Sequence, residues 1–192
     1  MSDQSGRLVF MRVLVKLMIL FAILAFLRVL FGSLPERDLV VELPVARYSV
    51  ADMKPGDYQL VEWNSKPLFI VYRKSAWDSQ LDEASGELYR DPLSERSEQP
   101  DDAKNALRSP YSGWFVTLGL GTGAGCALTF DKPANTTQDE KSGKSVPAGG
   151  FTDGCDQSRY DLAGRVYLEQ AAKRNTVVPQ WRLEGQTILV SG

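Results

Sequence analysis

From residue 8 to residue 31 nearly every side chain is apolar, and residues 17–27 (LMILFAILAFL) carry no charge. Eleven residues are too few to cross a hydrocarbon layer of about 30 Å at 1.5 Å per helical residue. Residues 13–31 reach a spanning length. Lys16 and Arg28 fall near the two ends of that segment, where long basic side chains extend to the headgroups. Apolar residues cover the whole helical surface, which argues against the core helix of a water-soluble domain. No small-x-small cleavage pattern follows, so an uncleaved anchor is expected rather than a removed signal peptide. Arg7, Arg12 and Lys16 precede the uncharged stretch, whereas Glu36 and Asp38 follow it together with Arg37. This asymmetry places the N-terminal side in the cytoplasm and the remainder across the membrane.

What remains of the 192 residues suffices for one domain of ordinary size. Residues 1–31 read as a cytoplasmic N-terminus and membrane helix, residues 32–45 as a linker bracketed by Pro35 and Pro44, and residues 46–192 as the soluble domain. The formal net charge is −2, so no basic excess or motif points to nucleic acid. There is no histidine, which removes every imidazole metal ligand and every triad with an imidazole base. Two cysteines, Cys126 and Cys155, cannot supply a four-thiolate site.

The soluble domain patterns as short strands. Residues 57–63 and 67–73 are rich in Val, Ile, Tyr and Phe, with Asn64, Ser65 and Lys66 as a hairpin turn. Residues 75–106 read as loops with a short helix, placed at 99–107. Residues 114–118 (WFVTL) form a strand, 131–149 a polar loop, and 150–155 and 160–166 further strands. Residues 180–183 and 187–190 flank Glu184, Gly185 and Gln186 as a terminal hairpin. The expected fold is all-β, a small antiparallel sandwich or barrel behind one N-terminal helix. Residues 119–125 (GLGTGAG) invite a phosphate-loop reading, but no Lys-Ser/Thr and no helix pattern follow, so a tight loop is favoured. Asn135-Thr136-Thr137 is a weak glycosylation sequon.

Cys126 and Cys155 each follow a glycine. Outside the cytoplasm a disulfide is the default; it would close about thirty residues. A redox-active pair is disfavoured because such pairs usually stand as Cys-x-x-Cys, and free thiols stay open as an alternative.

Several segments carry a resemblance. They are Arg90-Asp91-Pro92-Leu93-Ser94, Ser97-Glu98-Gln99-Pro100, Ala103-Lys104-Asn105 and Arg108-Ser109, then Ser158-Arg159-Tyr160-Asp161, Gly164-Arg165-Val166 and Val177-Val178-Pro179. With the anchor and linker, this layout resembles the proteobacterial Rieske iron–sulfur subunit of ubiquinol–cytochrome c reductase. The resemblance covers nearly the whole chain and implies the Rieske-like β fold.

The departures fall at the cluster loops. The family's first loop reads Cys-Thr-His-Leu-Gly-Cys, its first Cys and its His being cluster ligands. The corresponding residues are Gly121, Thr122, Gly123, Ala124, Gly125 and Cys126. The second loop reads Cys-Pro-Cys-His-Gly-Ser-His-Tyr-Asp, against Asp153, Gly154, Cys155, Asp156, Gln157, Ser158, Arg159, Tyr160 and Asp161. The resemblance thus assigns the four ligand positions to Gly121, Gly123, Asp153 and Asp156, and the family's disulfide to Cys126 and Cys155. A Rieske centre needs two thiolates on one iron and two imidazoles on the other. Glycine offers no donor, and two carboxylates do not replace the set. The loop over the cluster also differs, with Gln170-Ala171-Ala172 where the family has Pro-Ala-Pro. Ser158 and Tyr160 stand at positions that hydrogen-bond cluster sulfurs in the family, and read here as fold residues. No Arg-Arg pair precedes the apolar stretch, unlike the twin-arginine signals of relatives exported with their cluster.

The expectation is therefore a cluster-free accessory subunit with no cofactor, not itself an enzyme. It would dock to cytochrome b or c1-type subunits, or to an oxidase in a supercomplex, from the bacterial inner membrane with its domain in the periplasm. A free-standing anchored binding module or assembly factor is the second reading. A Ca²⁺ site built on Asp153 and Asp156 with Asp131 or Asp161 is weaker, against the simpler reading of a solvated acidic loop.

Overall fold

The computed structural model describes residues 3–32, 45–84, 86–133, 137–138, 145–146 and 149–192. The chain divides into two units, Met1–Val41 and Glu42–Gly192. The first carries helix α1, Asp3–Gly32. Within it, Gly6–Leu30 is long and apolar enough to cross a membrane. Leu8, Phe10, Met18 and Phe21 are each at least 60% exposed, an arrangement water does not tolerate over a whole helix. The expected linker lies mostly in residues 33–44, outside the described residues.

The second unit is mostly β. Its strands are β1 Ala46–Ser49, β2 Tyr58–Trp63, β3 Lys66–Tyr72, β4 Trp114–Leu118, β5 Leu128–Asp131, β6 Thr137–Gln138, β7 Ser145–Val146, β8 Gly150–Asp153, β9 Arg159–Tyr160, β10 Gln180–Glu184 and β11 Thr187–Ser191. They form antiparallel sheets in the orders β1-β11-β10, β2-β3-β4 and β5-β8-β9, with β6 paired to β7. The β2–β3 hairpin closes through Asn64 and Ser65, both at positive φ (49° and 58°), as a two-residue turn with the twist of its strands requires. In the terminal hairpin Glu184 faces Thr187, and Gly185 takes φ +59°.

One core joins the three larger sheets. Leu68, Phe69, Ile70 and Val71 on β3 are all buried, as a central strand covered on both faces should be. Phe115, Phe151, Tyr160, Trp181, Ile188 and Val190 belong to the same core.

Two expectations need correction. The helix of the polar region is α2, Ser75–Glu83, not residues 99–107. There the Asn105 side chain accepts the amides of Leu107 and Ser109, Arg108 adopts φ +50°, and only a 3₁₀ turn at Asp101–Ala103 forms. Residues 160–166 are not one strand. Asp161 accepts the amides of Ala163 and Arg165, Gly164 takes φ +68°, and the chain turns so that Tyr160 bridges Val166. Strand β1 begins where only general β patterning was read. Strand β5 lies between two loops and was not anticipated.

The irregular segments are held by buried arginines. Arg108 is fully buried and donates to Gln99 Oε1 (2.9 Å), Ala163 O (3.1 Å), Gly164 O (3.2 Å) and Thr176 O (2.7 Å). Burial pulls its guanidinium down to about 9, so it stays charged at neutral pH. Arg165 pairs with Asp161 at 2.7 Å, and Arg73 with Asp78 at 2.8 Å. These side chains pin residues 86–109 and 161–176, which have few strand hydrogen bonds of their own.

Candidate functional site

Three segments meet at one end of the β5-β8-β9 sheet. The first is the glycine-rich loop 119–126 between β4 and β5. The second is the loop 153–158 between β8 and β9, and the third is the segment 170–174. The first loop is narrow because Gly121 N–H donates to Cys126 O (2.8 Å) and Leu128 N–H to Gly119 O (2.9 Å). The second is shaped by its own aspartates. Asp153 Oδ1 accepts the amides of Cys155 (2.8 Å) and Asp156 (3.4 Å), and Asp156 Oδ1 accepts the amide of Ser158 (2.8 Å). Short carboxylate side chains stabilise turns in this way.

The segments are tied to each other as well. Cys126 and Cys155 form a disulfide with Cα atoms 5.9 Å apart. Thr122 N–H donates to the Tyr160 hydroxyl at 3.0 Å, and the Thr122 hydroxyl donates to Arg174 O. Ala172 N–H donates to Ser158 Oγ at 3.0 Å, and Arg159 N–H to Gln170 Oε1 at 3.0 Å. Ser158 and Tyr160 are thus engaged in holding the loops together. Burial raises the Tyr160 hydroxyl above the ordinary phenol range, although its bonds to Thr122 oppose this.

Gly121, Gly123, Asp153 and Asp156 stand in two facing pairs. A Cβ built on Gly121 would lie 1.6 Å from Asp153 Oδ2, and one built on Gly123 would lie 2.4 Å from Asp156 Oδ2. Each aspartate carboxylate occupies the space that a side chain on the facing glycine would need. Asp153 is fully buried, and its Oδ2 has no hydrogen-bond partner among the described residues. Asp156 is half-buried.

The other two acidic residues do not join this group. Asp131 lies at the far end of β5 from Asp153 and accepts the Thr152 hydroxyl at 2.8 Å. Asp161 is committed to Arg165. Among the described residues, the acidic and thiol groups that converge are Asp153, Cys126 and Cys155, within 4.8 Å of one another. The disulfide already engages both sulfurs, which argues against a cation site of the kind considered from the sequence.

Beside the glycine loop runs a groove of about 390 Å³. Leu118, Leu120 and Val177 line it with residues 121–125, and Lys66, Glu98 and Arg174 bring the charges. Arg174 and Glu98 are 3.8 Å apart and exposed. The groove's residues come from four separate stretches of the chain, of which only the glycine-rich loop stands out locally in the sequence.

No protein-family profile matches the chain. The ubiquinol–cytochrome c reductase iron–sulfur subunit of Allochromatium vinosum is 34% identical over 145 residues, covering 73% of this chain and 66% of that protein. The mitochondrial cytochrome b-c1 complex subunit Rieske of Schizosaccharomyces pombe is 24% identical over 153 residues, or 79% of this chain and 56% of the relative. The Saccharomyces cerevisiae protein is 22% identical over 151 residues, 79% and 59%. The chain therefore spans just under two thirds of the first of these relatives and less than that of the others. A chain of a hyperthermophilic respiratory Complex III covers 94% of this chain at 15% identity with a TM-score of 0.42, too distant a likeness to carry an argument. The 34% identity, with the mostly β fold behind an apolar N-terminal helix, makes this chain a homologue of the Rieske iron–sulfur subunit of ubiquinol–cytochrome c reductase.

Proposed function

We propose that this chain is a cluster-free, non-catalytic Rieske-like subunit that acts by docking within a respiratory membrane complex of the cytochrome bc1 kind. The observation that carries the reading is the filling of the four assigned ligand positions. Gly121 and Gly123 present no donor, and the space before them is taken by Asp153 and Asp156. The chain has no histidine to supply the imidazoles of a Rieske centre. These residues do not fit a 2Fe–2S cluster, so no electron transfer is derived through one.

The loop end is nevertheless well built. A disulfide, the Thr122–Tyr160 bond and the Ser158–Ala172 bond hold three segments in register. A rigid surface kept without redox chemistry suits binding. The groove beside the glycine loop, with its apolar wall and Lys66 and Arg174 at hand, is the surface this reading offers to cytochrome b or c1-type subunits or an oxidase. Helix α1 is long and apolar enough to anchor the domain, and the basic residues before its uncharged stretch favour a domain on the periplasmic side of a bacterial inner membrane.

The test is purification of the tagged chain from its native membrane in mild detergent. Iron, visible absorbance, haem and co-purifying subunits would be measured on the eluate. The expected result is stoichiometric cytochrome subunits with no iron–sulfur signal from this chain once it is separated. A Rieske spectrum from the isolated chain would overturn the proposal. A lone haem-free protein would favour the free-standing module instead.

A further inference from the structure

We infer that Asp153 guards the Cys126–Cys155 disulfide against thiol exchange. Its carboxylate and the two sulfurs lie within 4.8 Å of one another. Asp153 is fully buried, whereas Cys126 is half-buried and Cys155 exposed. The disulfide thus has an exposed flank at Cys155, while the carboxylate beside it is buried. The position of the carboxylate is fixed, because Oδ1 accepts the amides of Cys155 and Asp156.

The chemistry of exchange makes this position matter. A thiolate attacks one sulfur, a new S–S bond forms, and the native bond breaks with its electron pair leaving on the other cysteine. A second thiolate then releases the first as an external disulfide, and both cysteines end reduced. Negative charge approaches in the first step and develops on the leaving sulfur. A fixed carboxylate beside both sulfurs opposes each of these, and a buried charge is little screened by salt.

The identity of the residue adds a second effect, which rests on the cluster-free reading. The family resemblance places a cysteine ligand at position 153. Without a cluster to hold it, a thiol there would be an intramolecular nucleophile beside the disulfide, at high effective concentration. Aspartate supplies the same turn bonds, removes the nucleophile and adds a repulsive charge.

The experiment uses the full-length protein in detergent and follows thiol release under excess reductant. Asp153→Asn keeps the Oδ1 acceptor and removes the charge. It should be reduced on the order of 10-fold faster by dithiothreitol. Asp156→Asn should react like the parent. With cysteamine, mercaptoethanol and mercaptopropionate, the parent rate should fall from the cationic to the anionic thiol, and this spread should shrink in Asp153→Asn. A loosened loop would speed all three thiols alike and leave the spread intact, so that outcome, or equal rates for Asp153→Asn and parent, overturns the inference. Asp153→Cys should yield mixed disulfide connectivities on peptide mapping; a single native pairing with a free Cys at 153 would refute the second effect. Iron found in the parent would defeat the cluster-free reading and leave the Asp153→Asn kinetics to be judged separately.

Discussion

The facing glycine and aspartate pairs make a sharp prediction for Gly121→Ala. The new methyl carbon would sit 1.6 Å from Asp153 Oδ2, where ordinary contact needs about 3.4 Å. The carboxylate must therefore move by nearly 2 Å. It cannot do so freely, because Oδ1 holds the amides of Cys155 and Asp156. Overpacking a buried site costs about 1–3 kcal/mol, and giving up those turn bonds adds about 1 kcal/mol. The expected loss is roughly 2–4 kcal/mol, or about 5–15 °C in Tm for a domain of this size. Asp153→Ala removes the obstructing carboxylate at the cost of the turn bonds alone. In the double variant Gly121→Ala should then add little, giving a coupling of about 1–3 kcal/mol. Thermal unfolding of the four proteins, followed by circular dichroism in detergent, measures this. A Gly121→Ala protein melting within a degree of the parent, or strict additivity in the double variant, would show that the pair is not in the described contact.

Three further outcomes are expected. Cys126→Ser or Cys155→Ser opens a loop of 29 residues, and the chain-entropy account gives a loss of about 3–4 kcal/mol, read as a large fall in Tm; an unchanged Tm with two titratable thiols in the parent would reject the disulfide's role. Burial raises the hydroxyls of Tyr48, Tyr89 and Tyr160 above their unfolded value of 10, so the folded state holds their protons longer. That stabilisation is complete below about pH 10 and is lost as pH rises beyond it; Tm should fall steeply there, and Tyr89→Phe should flatten the slope. Finally, the joint substitution Gly121→Cys, Gly123→His, Asp153→Cys and Asp156→His should confer the iron binding and visible absorbance that the proposed cluster-free parent would not show. A folded but colourless quadruple variant would refute the assignment of the four positions.

How much of this was legible in the sequence depended on the kind of signal. The apolar run of α1 and the hairpins at Asn64 and Gly185 announce themselves through composition and turn residues. The disulfide was expected from the two cysteines and from family likeness, and it forms. Residues 86–109 misled because their order comes from distant partners. Arg108 is fixed by carbonyls of Ala163, Gly164 and Thr176, which no local pattern reveals. Strand β5 is four residues long and is defined by its pairing with β8 rather than by its own alternation. The aspartates at 153 and 156 read locally as loop residues. Their facing of Gly121 and Gly123 appears only when the two loops are brought together.

The pairing of β1 with β11 sets a clock on the domain's biogenesis. Ala46 lies opposite Val190 and Ser49 opposite Thr187, so the first strand of the domain waits for nearly all of the remaining chain. Such contacts form late, since a long loop must close before they repay it. The sheet β1-β11-β10 cannot exist until residue 191 has left the ribosome, whereas α1 precedes every strand of the domain. A chain threaded through a membrane during its synthesis would cross before its domain could finish folding, and completion would follow on the far side.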